Sequence, residues 1–262
     1  MTSNSIVRIP GAYKPGPTQK ESFSLCIYGR GGTGKTTLLG TMPGQGLIID
    51  IPQIEGGTFV LEHVADRIDI KSLTAWDEID DVFWFLKKQP HAYQWVAIDS
   101  LTAMTQLAIR KTIGERDLDV DPNKISLQDW GKVGRLVGEM IYRFRTLPIH
   151  IIWIAQERKY GNEEQGDPKM VGPDTSPAAL QMLIPPLMLC GRLTIEYTLE
   201  GAAERHLRIK PHPEIHAKVR ARSGLDVPGT IRNPHLGQLL KYLLGSGERP
   251  EEVQELAMLI VG

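Results

Sequence analysis

Residues 29–36 read Gly-Arg-Gly-Gly-Thr-Gly-Lys-Thr, which fits the pattern Gly-x-x-x-x-Gly-Lys-[Ser/Thr] at every fixed position. Glycines at this spacing allow a backbone to wrap around a phosphate chain and to present N–H groups that a Cβ would obstruct. Lys35 would neutralise the β and γ phosphates of a nucleotide, and the Thr36 hydroxyl would reach a Mg²⁺ ion. The stretch therefore predicts a P-loop for ATP and Mg²⁺, formed by Gly29, Arg30, Gly31, Gly32, Thr33, Gly34, Lys35, Thr36 and Thr37.

Strands and helices alternate on both sides of this loop. Residues 22–28 precede it as a short apolar strand, and a helix begins near Lys35. Further strands are predicted at 46–50, 67–70, 95–98 and 150–155, with helices at 75–88 and from the capping box at 126–129 to about residue 147. This alternation predicts an α/β P-loop NTPase core with a mainly parallel sheet that is flanked by helices.

The second half of the chain has a different pattern. Residues 157–177 are polar and rich in glycine and proline, and because the segment is too long for an ordinary connection we expect a mobile functional loop. Segments 193–199, 204–210 and 215–221 predict an antiparallel extension, followed by helices at 236–244 and 250–259. We therefore expect a flexible leader at 1–20 and a single ATPase domain at 21–262, with the helices of 235–262 packed on it.

Composition excludes several classes of protein. With 30 Lys and Arg against 31 Asp and Glu, the net charge is −1, so any site for a polyanion must be local. The 41% hydrophobic content is that of a globular protein rather than a disordered one, and two cysteines are too few for a disulfide framework. No signal peptide and no run of 18 apolar residues is present, so we expect a cytoplasmic protein without a membrane partner.

Acidic residues follow two of the predicted strands. Asp99 ends the apolar run at 95–98, which is where an α/β fold places the carboxylate that holds Mg²⁺ together with Thr36. Hydrolysis also needs a group that orients water, and the segment after the strand at 46–50 offers Asp50 and Glu55. We favour Glu55, because the glycines at 56 and 57 allow a tight turn that could aim it at the γ-phosphate, and Asp50 remains the alternative.

With these residues placed, the chain resembles the RecA-like core of bacteriophage P-loop ATPases, in particular phage single-strand-annealing ATPases related to the RecA-type recombinases. The resemblance covers about residues 22–231, and it depends on the combination of the P-loop with three short sequences. These are Ile98-Asp99-Ser100-Leu101, Ile154-Ala155-Gln156, and Ile48-Ile49-Asp50 followed by Glu55-Gly56-Gly57. The resemblance implies that Asp99 binds the metal, that Gln156 senses the γ-phosphate, and that Glu55 is the catalytic acid beside Lys35.

The same resemblance implies a DNA-binding segment. In RecA-like folds the chain that follows the glutamine strand contacts single-stranded DNA, and cations beside an aromatic ring suit binding by backbone contact and base stacking. The candidates here are Arg158, Lys159, Tyr160 and Lys169. The acidic residues Glu157, Glu163, Glu164 and Asp167 would cancel this charge if the loop were simply solvated, and that alternative stays open.

A row of cations is either a solvated cationic face or a candidate for contact between subunits. Lys218, Arg220 and Arg222 alternate along a predicted strand and would share one face. RecA-like rings and filaments complete each ATP site with cations from the adjacent subunit, so the resemblance implies self-assembly through this row. It also implies single-stranded DNA as a partner, and a single-strand-binding protein as a further one.

Two other readings remain. A ParA/MinD-like partition ATPase is the first, because Arg30 occupies the place of that family's additional P-loop lysine and residues 49–53 resemble its acidic segment. The second is a nucleotide-dependent scaffold without significant turnover. ATP binding without hydrolysis would distinguish the scaffold.

Overall fold

The computed structural model describes residues 22–114, 125–161 and 170–253, so the leader predicted at 1–20 lies outside it. Its strands are β1 (Ser24–Gly29), β2 (Gly46–Asp50), β3 (Ile68–Ser72), β4 (Trp95–Asp99), β5 (His150–Tyr160), β6 (Met170–Pro173), β7 (Leu189–Tyr197), β8 (Ala203–Arg208), β9 (Lys218–Val219) and β10 (Thr230–Arg232). Its α-helices are α1 (Lys35–Leu39), α2 (Glu78–Lys88), α3 (Leu101–Ile113), α4 (Leu127–Phe144), α5 (Pro177–Leu183) and α6 (Leu236–Leu243), and a 3-10 helix covers Thr58–Val64.

The central sheet has the strand order β10-β8-β7-β1-β5-β4-β2-β3. The six strands from β7 to β3 in this order are parallel to one another, whereas β8 and β10 add an antiparallel edge. Two further antiparallel strands pair outside this path, β6 with β5 and β9 with β7. The prediction of an α/β P-loop NTPase core with an antiparallel extension in the C-terminal half is confirmed.

Helices cover both faces of the sheet, which explains why its central strands are apolar throughout. Side chains alternate along β1, so Cys26 and Tyr28 face one core and Leu25 and Ile27 face the other. The first core is closed by α2, α3, α4 and α5, and the second by α1, α6 and the 3-10 helix. Because the strands are parallel, all loops at their carboxyl ends meet at one edge of the sheet, where the P-loop also lies.

The prediction of a mobile loop at 157–177 is wrong for the residues of this segment that the structure describes. Residues up to Tyr160 continue β5, and they pair with β6 so that Glu157 lies opposite Pro173 and Tyr160 opposite Met170. The Tyr28 hydroxyl fixes this hairpin by donating to the carbonyl oxygen of Val171 at 3.1 Å. Gly172 and Pro173 thus belong to the strand pair and Pro177 to the start of α5, while residues 162–169 lie outside the described ranges.

Other boundaries also differ from expectation. β7 begins at Leu189 rather than residue 193, because its first residues pair with β1, and α3 and α5 were not predicted. Of the strand expected at 215–221, only Lys218–Val219 is regular. The prediction of a helix at 250–259 is wrong for residues 250–253, where Glu252 forms a β-bridge with Ile231. The rest of the predicted helix lies outside the described residues.

Across the described ranges, none of the helices combines the length and apolarity that crossing a membrane requires.

Candidate nucleotide-binding site

The P-loop connects β1 to α1 in a conformation that its glycines permit. Gly32 and Gly34 have φ values of 80° and 88°, which lie in the left-handed region where a residue with a Cβ would have a strained backbone. The Thr33 hydroxyl donates to the carbonyl oxygen of Arg30 at 3.0 Å and closes the turn. The prediction that residues 29–36 form a loop between a strand and a helix is confirmed.

Lys35 lies inside this loop, with only 6% of its surface exposed. Its ammonium group donates to the carbonyl oxygens of Gly29 at 2.9 Å and Arg30 at 2.8 Å, and to Oε1 of Gln156 at 3.2 Å. Burial lowers the pKa of Lys35, although the negative charge of Asp99 opposes this. These contacts hold a buried cation between the P-loop and the end of β5.

Thr36 and Asp99 face each other across the same cleft. The Thr36 hydroxyl donates to Oδ2 of Asp99 at 2.6 Å, and Asp99 is 8% exposed at the carboxyl end of β4. Burial raises the pKa of Asp99 to about 6, while the hydrogen bond from Thr36 lowers it. A buried carboxylate beside a hydroxyl is a set of hard oxygen donors, so these two residues fit Mg²⁺.

Both candidate catalytic acids lie near Asp99. Asp50 ends β2 directly opposite Asp99 in the sheet register, and burial raises its pKa. Glu55 is half-buried on a turn whose backbone N–H donates to the carbonyl oxygen of Ile51 at 3.0 Å. An antiparallel bridge between Glu55 and Ile51 holds Glu55 close to Asp50, and the charge of Glu55 contributes to the raised pKa values of Asp99 and Asp50. The geometry therefore brings both acids to the site, and the choice of Glu55 stays a prediction.

Gln156 occupies the centre of the cleft because β5 lies between β1 and β4. It is paired with Gly29 in the sheet, and its backbone N–H donates to Oγ1 of Thr102 at 3.0 Å. The Thr102 hydroxyl in turn donates to the carbonyl oxygen of Asp174 at 2.8 Å. Sequence reasoning missed Thr102, because α3 was not predicted, and this residue ties the end of β5 to the chain just after β6.

Glu157 forms a second link that was not predicted. Its carboxylate accepts from Nε of Arg30 at 2.9 Å and from Nε of Arg192 at 2.9 Å. Burial would raise the pKa of Glu157, but the hydrogen bonds from Arg192 and Arg30 outweigh it, so the pKa is lowered. The P-loop, β5 and β7 are thereby joined through one ionised side chain.

The DNA-binding candidates lie on the hairpin of β5 and β6. Arg158 and Lys159 are exposed, and the Arg158 guanidinium lies 5.6 Å from the centre of the Tyr160 ring. Tyr160 itself is half-buried, and its hydroxyl donates to the carbonyl oxygen of Pro173 at 2.5 Å. Lys169 lies outside the described residues. The structure thus brings two cations together at the surface but does not leave the tyrosine as a free stacking platform.

The candidate interface cations contact their own chain. Arg220 donates through Nη2 to the carbonyl oxygen of Pro185 at 2.9 Å, and the Lys218 ammonium donates to the same oxygen and to that of Ile184. Lys218 is half-buried, whereas Arg220 and Arg222 are exposed. Since Lys218 pairs with Cys190, which lies opposite Cys26 in β1, the row is set back from the P-loop of its own chain.

Comparison with known proteins identifies a family to which the chain is similar. The family model described as "AAA domain" matches residues 21–221, a range that contains the P-loop, Asp99, Gln156 and the cationic row up to Arg220. A comparison with curated proteins finds no match.

Proposed function

The chain belongs to the AAA domain family, and from this membership we propose that it is a Mg²⁺-dependent ATPase whose reaction occurs at the P-loop. The observation that carries the proposal is the convergence of Lys35, Asp99 and Gln156 at the carboxyl ends of three adjacent strands. A buried lysine, a metal-binding carboxylate and a polar amide in one cleft are what phosphoryl transfer requires.

Each residue has a separate task in this proposal. Lys35 exchanges its carbonyl and amide contacts for the oxygens of the β and γ phosphates, which places positive charge where negative charge develops. Asp99 and Thr36 would hold Mg²⁺, which supplies further charge neutralisation to the phosphates when it is bound. Glu55 accepts the proton of the attacking water, and Gln156 donates through its amide to the terminal phosphate.

We further propose that the protein is RecA-like and binds single-stranded DNA as an oligomer in phage recombination or annealing. The support is that Arg158 and Lys159 lie two and three positions after Gln156 on β5, so the residue proposed to contact the nucleotide and this cationic surface belong to the same strand. Phosphate groups of DNA would contact these cations, and a single-strand-binding protein would be a further partner.

Assembly through Lys218, Arg220 and Arg222 belongs to the same proposal. Arg220 and Arg222 are exposed and set back from their own P-loop, so they would serve the site of an adjacent subunit rather than their own. A cation supplied in this way would stabilise the charge on the transferred phosphate. The partition ATPase has weaker support, because the Arg30 side chain on which it rests is paired with Glu157 of its own chain.

The test is the rate of ATP hydrolysis with Mg²⁺, measured over a range of protein concentrations with and without single-stranded DNA. We expect the rate of ATP hydrolysis per subunit to rise with protein concentration. We also expect single-stranded DNA to stimulate this rate more than a duplex of equal length does. Hydrolysis without any response to DNA would remove the DNA proposal and leave the ATPase. Binding of ATP without turnover under all conditions would favour the scaffold instead.

A further inference from the structure

Arg205, on β8, contacts the P-loop from the side opposite to the metal-binding residues. Its Nε donates to the carbonyl oxygen of Thr33 at 3.2 Å. The guanidinium lies so close to Gly34 that a Cβ at that position would be 2.5 Å from Nε. This arginine therefore touches the two P-loop residues that precede Lys35.

Asn233 fixes the backbone of Arg205 on both sides. The N–H of Arg205 donates to Oδ1 of Asn233 at 3.0 Å, and the N–H of Asn233 donates to the carbonyl oxygen of Arg205 at 2.7 Å. Asn233 has a φ of 41°, which is uncommon for a residue other than glycine. A backbone held in this way directs the Arg205 side chain toward the P-loop.

The sheet order indicates which part of a nucleotide would meet this arginine. The γ-phosphate partners, Gln156 and Asp99, lie on β5 and β4, on one side of β1. β7 and β8 lie on the other side of β1, and Arg205 belongs to β8. A triphosphate whose terminal group points toward Gln156 must therefore leave the P-loop with its nucleoside end on the side of β8.

Arg205 is also on the face of the sheet where the nucleotide would lie. Side chains alternate along β8, so Arg205 shares a face with Leu207, which packs in the same core as Leu38 and Leu39 of α1. Within the described part of the chain, Nη1 and Nη2 of Arg205 have no hydrogen-bond partner, and the residue is exposed. The planar guanidinium thus offers an open face and two donor groups beside the P-loop.

We propose that Arg205 binds the nucleoside half of the nucleotide, with its guanidinium face stacked on the base and its free donors directed at the ribose or first phosphate. The inference rests on the proposed ATP site and identifies the residue that would distinguish a nucleoside triphosphate from a bare triphosphate. Stacking of a cation on an aromatic base is favourable because the ring face is electron-rich.

The experiment compares the affinities of ATP and inorganic tripolyphosphate by calorimetry for the wild type, Arg205→Ala and Arg205→Lys. We expect Arg205→Ala to weaken ATP binding about tenfold and to change tripolyphosphate binding little. Arg205→Lys should recover little of the loss, because lysine keeps the charge but lacks the planar face. Arg232→Ala is the matched control, since Arg232 pairs with Glu204 and Glu251 instead of the P-loop, and it should bind both compounds as the wild type does.

An equal loss for both compounds would overturn the inference, because Arg205 would then only support the P-loop through Thr33. Unchanged ATP binding by Arg205→Ala would overturn it as well. Neither result touches the proposed ATPase, which is tested separately by the rate at which the wild type hydrolyses ATP. Urea unfolding of each variant shows whether a lost affinity reflects a lost fold.

Discussion

Replacing Asp99 with asparagine should stabilise the metal-free protein while removing its Mg²⁺ site. The amide keeps the size of the side chain and an oxygen that accepts from Thr36, so the change removes little except the charge. Burial raises the pKa of Asp99 from 3.8 to about 6, which means that ionisation of this carboxyl group destabilises the folded state. A difference of this size corresponds to roughly 3 kcal/mol.

The sign of the pH dependence follows from that raised pKa. The folded state binds the Asp99 proton more tightly than the unfolded chain, so the stabilisation by protonation is present at low pH and is lost as pH rises through about 6. Asp99→Asn should therefore exceed the wild type in free energy of unfolding by about 3 kcal/mol at pH 8, and by about half of that at pH 5.

Urea unfolding in the presence of a chelator measures this difference, with the fluorescence of the buried Trp95 and Trp153 as the signal. Asp66→Asn is the control, since Asp66 is exposed and its replacement should change stability little at either pH. Mg²⁺ with ATP should stabilise the wild type and not Asp99→Asn. Equal stability of the wild type and Asp99→Asn at pH 8, or a difference that does not shrink at pH 5, would refute the reasoning.

Three further predictions concern the proposed catalytic and coupling residues. Glu55→Gln should bind ATP but slow single-turnover hydrolysis by at least about a hundredfold, since an amide cannot accept the proton; if Asp50→Asn gives this result instead, Asp50 is the acid. Gln156→Ala should bind ATP and lose the difference in DNA affinity between ADP and a non-hydrolysable ATP analogue, and an unchanged ratio would show that Gln156 does not couple the two. A mixture of Arg220→Ala and Lys35→Ala proteins should recover part of the ATPase rate, whereas no recovery in demonstrated mixed oligomers would exclude action between subunits.

The parallel core was predictable because its determinants are local. Apolar runs bounded by turns define β1, β2, β4 and β5. The P-loop requires left-handed backbone at Gly32 and Gly34, a conformation that few residues other than glycine adopt. Asp99 could be placed at the carboxyl edge because strands of a parallel sheet all end there. The order of the strands was not predictable in the same way, although it decides that Gln156 lies between Gly29 and Asp99.

Contacts between distant segments account for what the sequence did not reveal. The strand pair of β5 and β6 receives a hydrogen bond from Tyr28, a residue distant in sequence, whereas the glycines and prolines of the segment itself indicate a loop. Arg192 fell outside the predicted strand, since β7 pairs with β1 through residues that carry no alternating pattern. Arg205 lies 172 positions from its partner Thr33, and no local signal connects an arginine on β8 with a P-loop.

Release of phosphate from ATP with Mg²⁺, by the wild type and by Lys35→Ala, tests the central claim most directly. Lys35 is the buried cation of the P-loop, so its loss removes the charge that a triphosphate would meet there. We predict steady release by the wild type and a rate lower by at least about a hundredfold for Lys35→Ala, with both proteins folded by urea unfolding. Equal rates for the two folded proteins, or no release by the wild type with or without DNA, would contradict the claim.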